Sequence, residues 1–265
     1  MRKVALIIGG SSGIGFDLAQ ILIKNQYVVY NLSRSECLLK EVNDISYDIL
    51  TNNNLLSNIK ERKLDLVVFT ENFSLFSPIE IVDIKDVKSL FDVNYFSIIK
   101  ILKEVIPILK LNDGGNIILL SSFASYLNIP YDTYYGASKS CINALALELN
   151  LELNRFGIKA LAVCLGLIKS NVVLNRKVYN DFNDLTDYQD YDNVVNSLIS
   201  LESKGITINS SAKKLFKIIK KIPKINSKRY LINLGFKTKL MYILNKYLPN
   251  SIIYKIMMKK YYLNK

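Results

Sequence analysis

The sequence predicts an α/β fold, a doubly wound parallel sheet with helices on both faces. Three observations lead there. Short, near-continuous apolar runs alternate with helix-length segments over the first two thirds of the chain, the pattern of strands buried on both faces. A glycine-rich turn, Gly9-Gly10-Ser11-Ser12-Gly13-Ile14-Gly15, joins the first strand to the first helix. Half of the 265 residues are hydrophobic, enough for one large core.

The elements follow in order. Lys3–Ile8 reads as a buried strand, Gly13–Asn25 as a helix and Val28–Leu32 as a strand with Ser33-Arg34 at its end. Strands over Ile45–Ile49 and Asp65–Phe69 precede a long helical segment over Lys85–Leu109. Asn116–Ser121 is a strand, Thr133–Arg155 a helix and Ile158–Leu165 a strand. Beyond Gly166 the regularity weakens. Residues 167–209 read as an insertion or lid, with Asp181, Asp184, Asp187, Asp190 and Asp192 giving it either a solvated acidic surface or a part in substrate binding. Ala212–Ile222 is a basic amphipathic helix, Arg229–Leu234 a last strand, and Lys237–Tyr262 a helical tail broken near Pro249. The expected organisation is one sheet domain over 1–235 and a basic helical tail over 236–265.

Composition excludes several classes of function. There is no histidine, and Cys37, Cys141 and Cys164 have no metal-like spacing, so zinc sites and histidine triads are not expected. Isolated cysteines suit a reducing, cytoplasmic setting, where they act as small buried apolar groups. The apolar run after Met1-Arg2-Lys3 is too short for a signal peptide, and no apolar stretch is long enough to span a membrane.

The net charge of +12 is unevenly placed. From Lys213 to Lys265 there are 15 Lys and Arg and no Asp or Glu, so the first 212 residues carry a net −3. Leu240, Leu244, Tyr247 and Leu248 fall on one helix face within this basic region. Two readings stand: the face packs on the body or on a second subunit, or it binds an anionic membrane surface reversibly. Nucleic-acid binding explains the charge less well, because no base-reading motif accompanies it.

The glycine turn has the form of a phosphate cradle. Glycines permit a tight turn and close approach of a ligand, and the helix that follows offers unpaired N–H groups and a positive dipole end. Its spacing is G-x3-G-x-G, not the G-x-G-x-x-G of the standard dinucleotide fingerprint. A ribose-binding acid belongs about twenty residues further on. Ser33 stands there, followed by Arg34, so no carboxylate repels a 2′-phosphate and a guanidinium is placed to pair with it. NADP is therefore favoured over NAD. Asp48, after the third strand, is either an acceptor for the adenine amine or an ordinary polar strand end.

Tyr135 and Lys139 are four residues apart, on one face of a helix, with Ser122 thirteen residues upstream. A fixed ammonium beneath a phenol favours the phenolate and lowers its pKa from about 10. That tuning suits general acid–base catalysis near neutrality. Taken alone, the spacing is weak evidence, and a solvated helix face is the better reading of it.

Together these residues resemble the short-chain dehydrogenase/reductase family, whose fold is a Rossmann-type sheet. The resemblance runs from Lys3 to about Ser170 and more loosely to Leu248. It rests on the glycine loop, Asp48-Ile49, Asn94 in Asp92-Val93-Asn94, Ser121-Ser122, Tyr135-Gly136-Ala137-Ser138-Lys139, and Gly166 with Ser170. The joint spacing of Asn94, Ser122, Tyr135 and Lys139 is its specific part. The resemblance implies Tyr135 as acid–base residue and Ser122 as hydrogen-bond partner of the substrate oxygen. Lys139 would bind the nicotinamide ribose and lower the Tyr135 pKa, and Asn94 would hold a water that passes protons to Lys139. Cofactor contacts are implied for Gly9, Ser11, Ser12, Gly13, Ile14, Gly15, Ser33, Arg34, Asp48, Ile49, Asn94, Tyr135, Lys139, Gly166, Ile168 and Ser170. The implied reaction is hydride transfer between NADP(H) and a ketone or secondary alcohol, in a dimer or tetramer. The C-terminal layout is loosely similar to members acting on lipid-like or steroid-like ketones, and Tyr126, Leu127 and Tyr131 suit a hydrophobic substrate.

Three departures from the family pattern bear on cofactor grip. Ile8 replaces a threonine whose hydroxyl ties the loop down. Phe69-Thr70-Glu71-Asn72 replaces Asn-Asn-Ala-Gly, setting an acid where a small residue is expected. Leu165-Gly166 replaces Pro-Gly, with Ser170 in place of a threonine. An alternative function is therefore a catalytically weak binding or scaffold protein with impaired cofactor binding.

Overall fold

The computed structural model describes residues 2–46, 59, 63–169, 176–179, 188, 190–225 and 228–261. Asp48, Ile49, Ser170, Asp181, Asp184 and Asp187 lie outside the described residues. The strands are β1 (Val4–Ile8), β2 (Val28–Ser33), β3 (Val42–Ser46), β4 (Leu66–Phe69) and the two-residue β5 (Leu75–Phe76). β6 (Gly115–Ser122) and β7 (Ile158–Leu165) follow, then the short β8 (Ile168–Lys169), β9 (Lys177–Val178) and β10 (Ile206–Thr207), and finally β11 (Leu231–Asn233). The helices are α1 (Gly13–Lys24), α2 (Ile84–Phe91), α3 (Ser97–Leu111), α4 (Thr133–Leu153), α5 (Tyr191–Ser203), α6 (Ile208–Lys221), α7 (Phe236–Tyr247) and α8 (Asn250–Tyr261).

Seven strands form one parallel sheet in the order β11-β7-β6-β4-β1-β2-β3. Alternate residues of β1 show why its sequence is apolar throughout. Val4, Leu6 and Ile8 join the core beneath α3 and α4, while Ala5 and Ile7 join the core beneath α1 and α6. All five are at most 2% exposed, so neither face tolerates a polar residue. Each such buried aliphatic side chain stabilises the fold by roughly 1.5–3 kcal/mol relative to exposure.

The helix expected over Lys85–Leu109 is not continuous. A π-helical turn over Asp92–Phe96 separates α2 from α3, with Asn94 buried at its centre. The wide turn lets the Asn94 amide face inward, where it donates to Phe73 O (2.8 Å) and Ser138 Oγ (3.0 Å) and accepts from Phe73 N (2.8 Å). Such turns are common where function needs an off-period side chain.

Among the described residues of 167–209, the segment is not uniformly polar and solvated. β9 pairs with β5, an element that the sequence pattern does not show, and β10 pairs with β8. Helix α5 buries Tyr191, Val194, Val195 and Leu198. Asp190 stands just before its first turn without a side-chain capping bond, and Asp192 lies in that turn, where acids complement the helix dipole. In the tail, Leu248 is extended before Pro249 and separates α7 from α8. Thr238, Met241, Met257 and Tyr261 turn inward, and Tyr126 donates to Thr238 O (3.1 Å). No helix among the described residues is long and apolar enough to cross a membrane.

Candidate active site

The chain order reverses between β1 and β4: β2 and β3 extend to one side, and β6, β7 and β11 to the other. At such a switch point the loops leaving the strand ends diverge and open a crevice. A cavity of about 650 Å³ lies there. One end is built from Gly9, Ser11, Ser12, Gly13 and Ile14, with Ser33 and Arg34 at the end of β2. The other end holds Ser122, Tyr135 and Lys139, bordered by Gly166 and Ile168. Gly15 is buried beneath the loop and Asn94 lies behind the wall, where Val93 provides the surface.

The loop's shape depends on its glycines. Gly9 and Gly13 have φ of +85° and +57°, in the region that favours glycine. A Cβ on Gly15 would lie 2.2 Å from Gly9 O, so only glycine lets α1 press against the loop. Nothing lies within 4 Å of a Cβ placed on Gly13, which faces open space. Ser12 caps α1 without a side-chain bond, and no acid occupies the first turn. The first N–H groups of this helix lack intrahelical acceptors, and Gly13 and Ile14 line that end of the cavity. The cradle thus fits a pyrophosphate, the group that a nicotinamide dinucleotide would place there.

Two residues missing from the sequence-based set hold this cradle. Asn31, 1% exposed, accepts from Gly10 N (2.8 Å) and donates to Ser33 Oγ (2.8 Å) and Asp44 Oδ1 (2.7 Å). Thr70 Oγ1 lies 2.8 Å from Ile8 O and 3.0 Å from Gly9 O, with one proton to donate between them. The expected consequence of Ile8, a loop without its tie, is therefore corrected. The hydroxyl comes from the neighbouring strand end, because Ile8 and Phe69 are in register and Thr70 follows Phe69. A polar residue inside an otherwise apolar strand, such as Asn31, is the signal by which the sequence could have revealed the first of these ties.

Burial governs the electrostatics at the other end. Tyr135 keeps some surface toward the cavity, but its phenolate would be poorly hydrated. Burial, followed by the charge of Asp132, pushes its pKa above the usual value, and a hydrogen bond with Ser122 opposes this. Burial brings Lys139 down to about 8. The Lys139 Nζ donates to Leu120 O (3.1 Å) and sits 5.6 Å from the Tyr135 ring centroid. Burial is the largest influence on Tyr135, and Lys139 is not among the charges that offset it. Asn94 is also more committed than expected. Both its N–H donors are used, and one lone pair on Oδ1 remains for a water.

Glu71 points inward beside the cradle. Its Cγ would lie 2.9 Å from a Cβ on Gly9, and its Oε2 is buried with no hydrogen-bond partner among the described residues. Burial raises its pKa from 4.5 to about 7, opposed by the Arg34 guanidinium. The folded state therefore holds this proton where the unfolded chain has lost it, and stability falls as pH rises between 4.5 and about 7. Replacing Glu71 by Gln removes that loss. Glu71→Gln raises the unfolding free energy more at pH 8 than at pH 5, by up to ~3 kcal/mol in urea unfolding. In fluorescence titrations, dinucleotide affinity of the unsubstituted protein falls as pH rises through about 7, and Glu71→Gln flattens that dependence.

The sequence profile of the short chain dehydrogenases matches residues 3–180. Over 259 residues the chain is 30% identical to a probable short-chain type dehydrogenase/reductase, VdlC, of Helicobacter pylori, covering 94% of each. A 3-ketodihydrosphingosine reductase of Bacteroides thetaiotaomicron is 29% identical over 66% of this chain and 68% of its own length. The crystal structure of a short chain dehydrogenase from Burkholderia cenocepacia, in complex with NADP, superposes with a TM-score of 0.75 at 17% identity, covering 97% of this chain and 98% of that one. The chain therefore belongs to the short-chain dehydrogenase/reductase family, oxidoreductases acting on alcohol and ketone groups.

Proposed function

We propose that the chain is an NADPH-dependent reductase of an apolar ketone, able to oxidise the corresponding secondary alcohol in reverse. The observation that carries this reading is the hydrogen-bonded Tyr135–Ser122 pair, packed over Lys139, in one cavity with a phosphate cradle and Arg34. A bound nicotinamide supplies hydride to the carbonyl carbon. Ser122 donates a hydrogen bond to the carbonyl oxygen and fixes its position. Tyr135, protonated at neutral pH because its pKa is raised, gives its proton as alkoxide character develops on that oxygen. The alkoxide is the stronger base, so this transfer is favourable even from a weakened acid. Lys139, with a pKa of about 8, is poised to return a proton to the phenolate, and the free Oδ1 lone pair of Asn94 suits a water that supplies it.

Arg34 supports NADP over NAD. It is exposed at the cradle rim, while Asp44 on the next strand is held by Asn31 and by Cys37 N (3.0 Å), away from that rim. An apolar substrate is supported by Phe76, Phe123, Ile129, Leu167 and Leu198 around the Tyr135 end. The resemblance to a relative named a 3-ketodihydrosphingosine reductase points the same way. The scaffold alternative draws on Glu71. The ties from Thr70 and Asn31 weigh against it, since they preserve the cradle.

Membrane contact completes the proposal. Leu240, Ile243, Leu244 and Tyr247 on α7 and Ile252 and Ile256 on α8 are exposed among lysines with no acid nearby in sequence. An anionic leaflet matches both properties.

Three measurements test these statements. Tyr135→Phe lowers kcat on a ketone by at least ~100-fold while NADPH titration is largely kept; retained turnover overturns the assigned acid. Arg34→Ala weakens NADPH on the order of tenfold and leaves NADH nearly unchanged, whereas equal losses remove the 2′-phosphate contact. The folded protein floats with anionic liposomes at low salt and is released by high salt; no flotation refutes the membrane face.

A further inference from the structure

The apolar chamber beside Tyr135 has one polar wall. Asp132 lies three residues before Tyr135 at the start of α4, and its side chain is not used to cap that helix. The residue is only 5% exposed, borders the cavity, and its Oδ1 has no hydrogen-bond partner among the described residues. Arg176 stands nearby and is already satisfied. Its guanidinium binds Glu202 in a bidentate pair (2.7 and 3.2 Å), donates through Nε to Ser74 Oγ (3.0 Å) and lies over the Phe76 ring at 4.6 Å. Both members of the ion pair are largely buried, with side chains 7% and 17% exposed.

This arrangement selects the chemistry of what it meets. Arg176 is neutralised by Glu202, so it offers no net positive charge to a carboxylate or phosphate. Asp132 adds a carboxyl whose pKa burial pushes well above the usual carboxylate range, toward the neutral form. A neutral carboxyl both donates and accepts, and leaving it unpaired in a dry site is unfavourable. An uncharged hydroxyl satisfies it; a hydrocarbon does not. Positions i and i+3 on a helix are about 5–6 Å apart between Cβ atoms. A hydroxyl bound at Asp132 therefore belongs within a few bonds of the carbonyl held by Tyr135 and Ser122.

We propose that Asp132, backed by the Arg176–Glu202 pair, is a specificity-determining site for a hydroxyl group close to the reacting carbonyl, so that the substrate class is an apolar chain ending in a hydroxyketone. This rests on the ketone-reductase reading and narrows it.

The test compares an aliphatic hydroxymethyl ketone with the methyl ketone of equal chain length. The unsubstituted enzyme with NADPH prefers the hydroxyketone on the order of tenfold to hundredfold in kcat/KM. Asp132→Leu brings that ratio close to one, and Asp132→Asn gives an intermediate value. Asp132→Leu also raises Tm, because it removes a buried unpaired polar group without removing a helix cap. A ratio near one in the unsubstituted enzyme, or a preference that survives Asp132→Leu, overturns the proposal while leaving the ketone-reductase reading intact. Should neither ketone be turned over, that reading falls instead. Calorimetric affinities of the matching diol and mono-alcohol, on the unsubstituted protein and Asp132→Leu, then decide the hydroxyl site alone: tighter diol binding lost in the variant supports it, and equal affinities overturn it.

Discussion

Burial of both faces of the parallel sheet is the constraint on which the rest of this structure depends. Each strand must be apolar on both sides, so helices cover both, and the backbone hydrogen bonds run only within the sheet plane. The strand ends are what remains open. Between β1 and β4 the connections depart in opposite directions, and the crevice there is a consequence of topology rather than of any one residue. Much of the site sits along that edge, namely the glycine loop after β1, Arg34 after β2, Glu71 after β4 and Ser122 at the end of β6, and α4 brings Tyr135 and Lys139 to it.

The same burial that builds the sheet sets the character of the site. Around Tyr135, Lys139, Asp132 and Glu71 the cost of removing charge from water exceeds the attraction of nearby partners. Each group is pushed toward its neutral form. For a phenol and an ammonium whose ordinary proton affinities are nearly equal this drives the two apart, with Lys139 down and Tyr135 up, so the proton rests on the phenol until negative charge develops on the substrate oxygen, and Lys139 is the group that can return one to the phenolate. For the two carboxyls it raises the pH at which they become repulsive anions, Glu71 to about 7 and Asp132 well above the usual carboxylate range.

The cradle also illustrates how a fold absorbs departures from a family pattern. The hydroxyl lost at Ile8 is recovered from Thr70, one residue past the strand in register beside it. Asn31 joins the loop to the second and third strands from within an apolar run. Glu71 is a departure without compensation among the described residues, since Arg34 opposes its raised pKa but makes no ion pair with it there.

By itself the sequence determined the sheet and its coverage, because two-faced burial forces apolar runs that stand out in any reading, and it determined that Tyr135 and Lys139 share a helix face, because positions i and i+4 do; Ser122, at the end of a strand, joined them through the family resemblance. The break of α2–α3 at Asn94, the pairing of β5 with β9, and the inward packing of α7 and α8 were decided only by tertiary structure. Each depends on partners distant in the chain: Phe73 and Ser138 for Asn94, Lys177 and Val178 for β5, Tyr126 for α7. The proton affinities were likewise invisible in the sequence. Spacing shows that Lys139 can reach Tyr135, but only the packing around both shows that desolvation wins, since that energy depends on the water excluded by every neighbouring element.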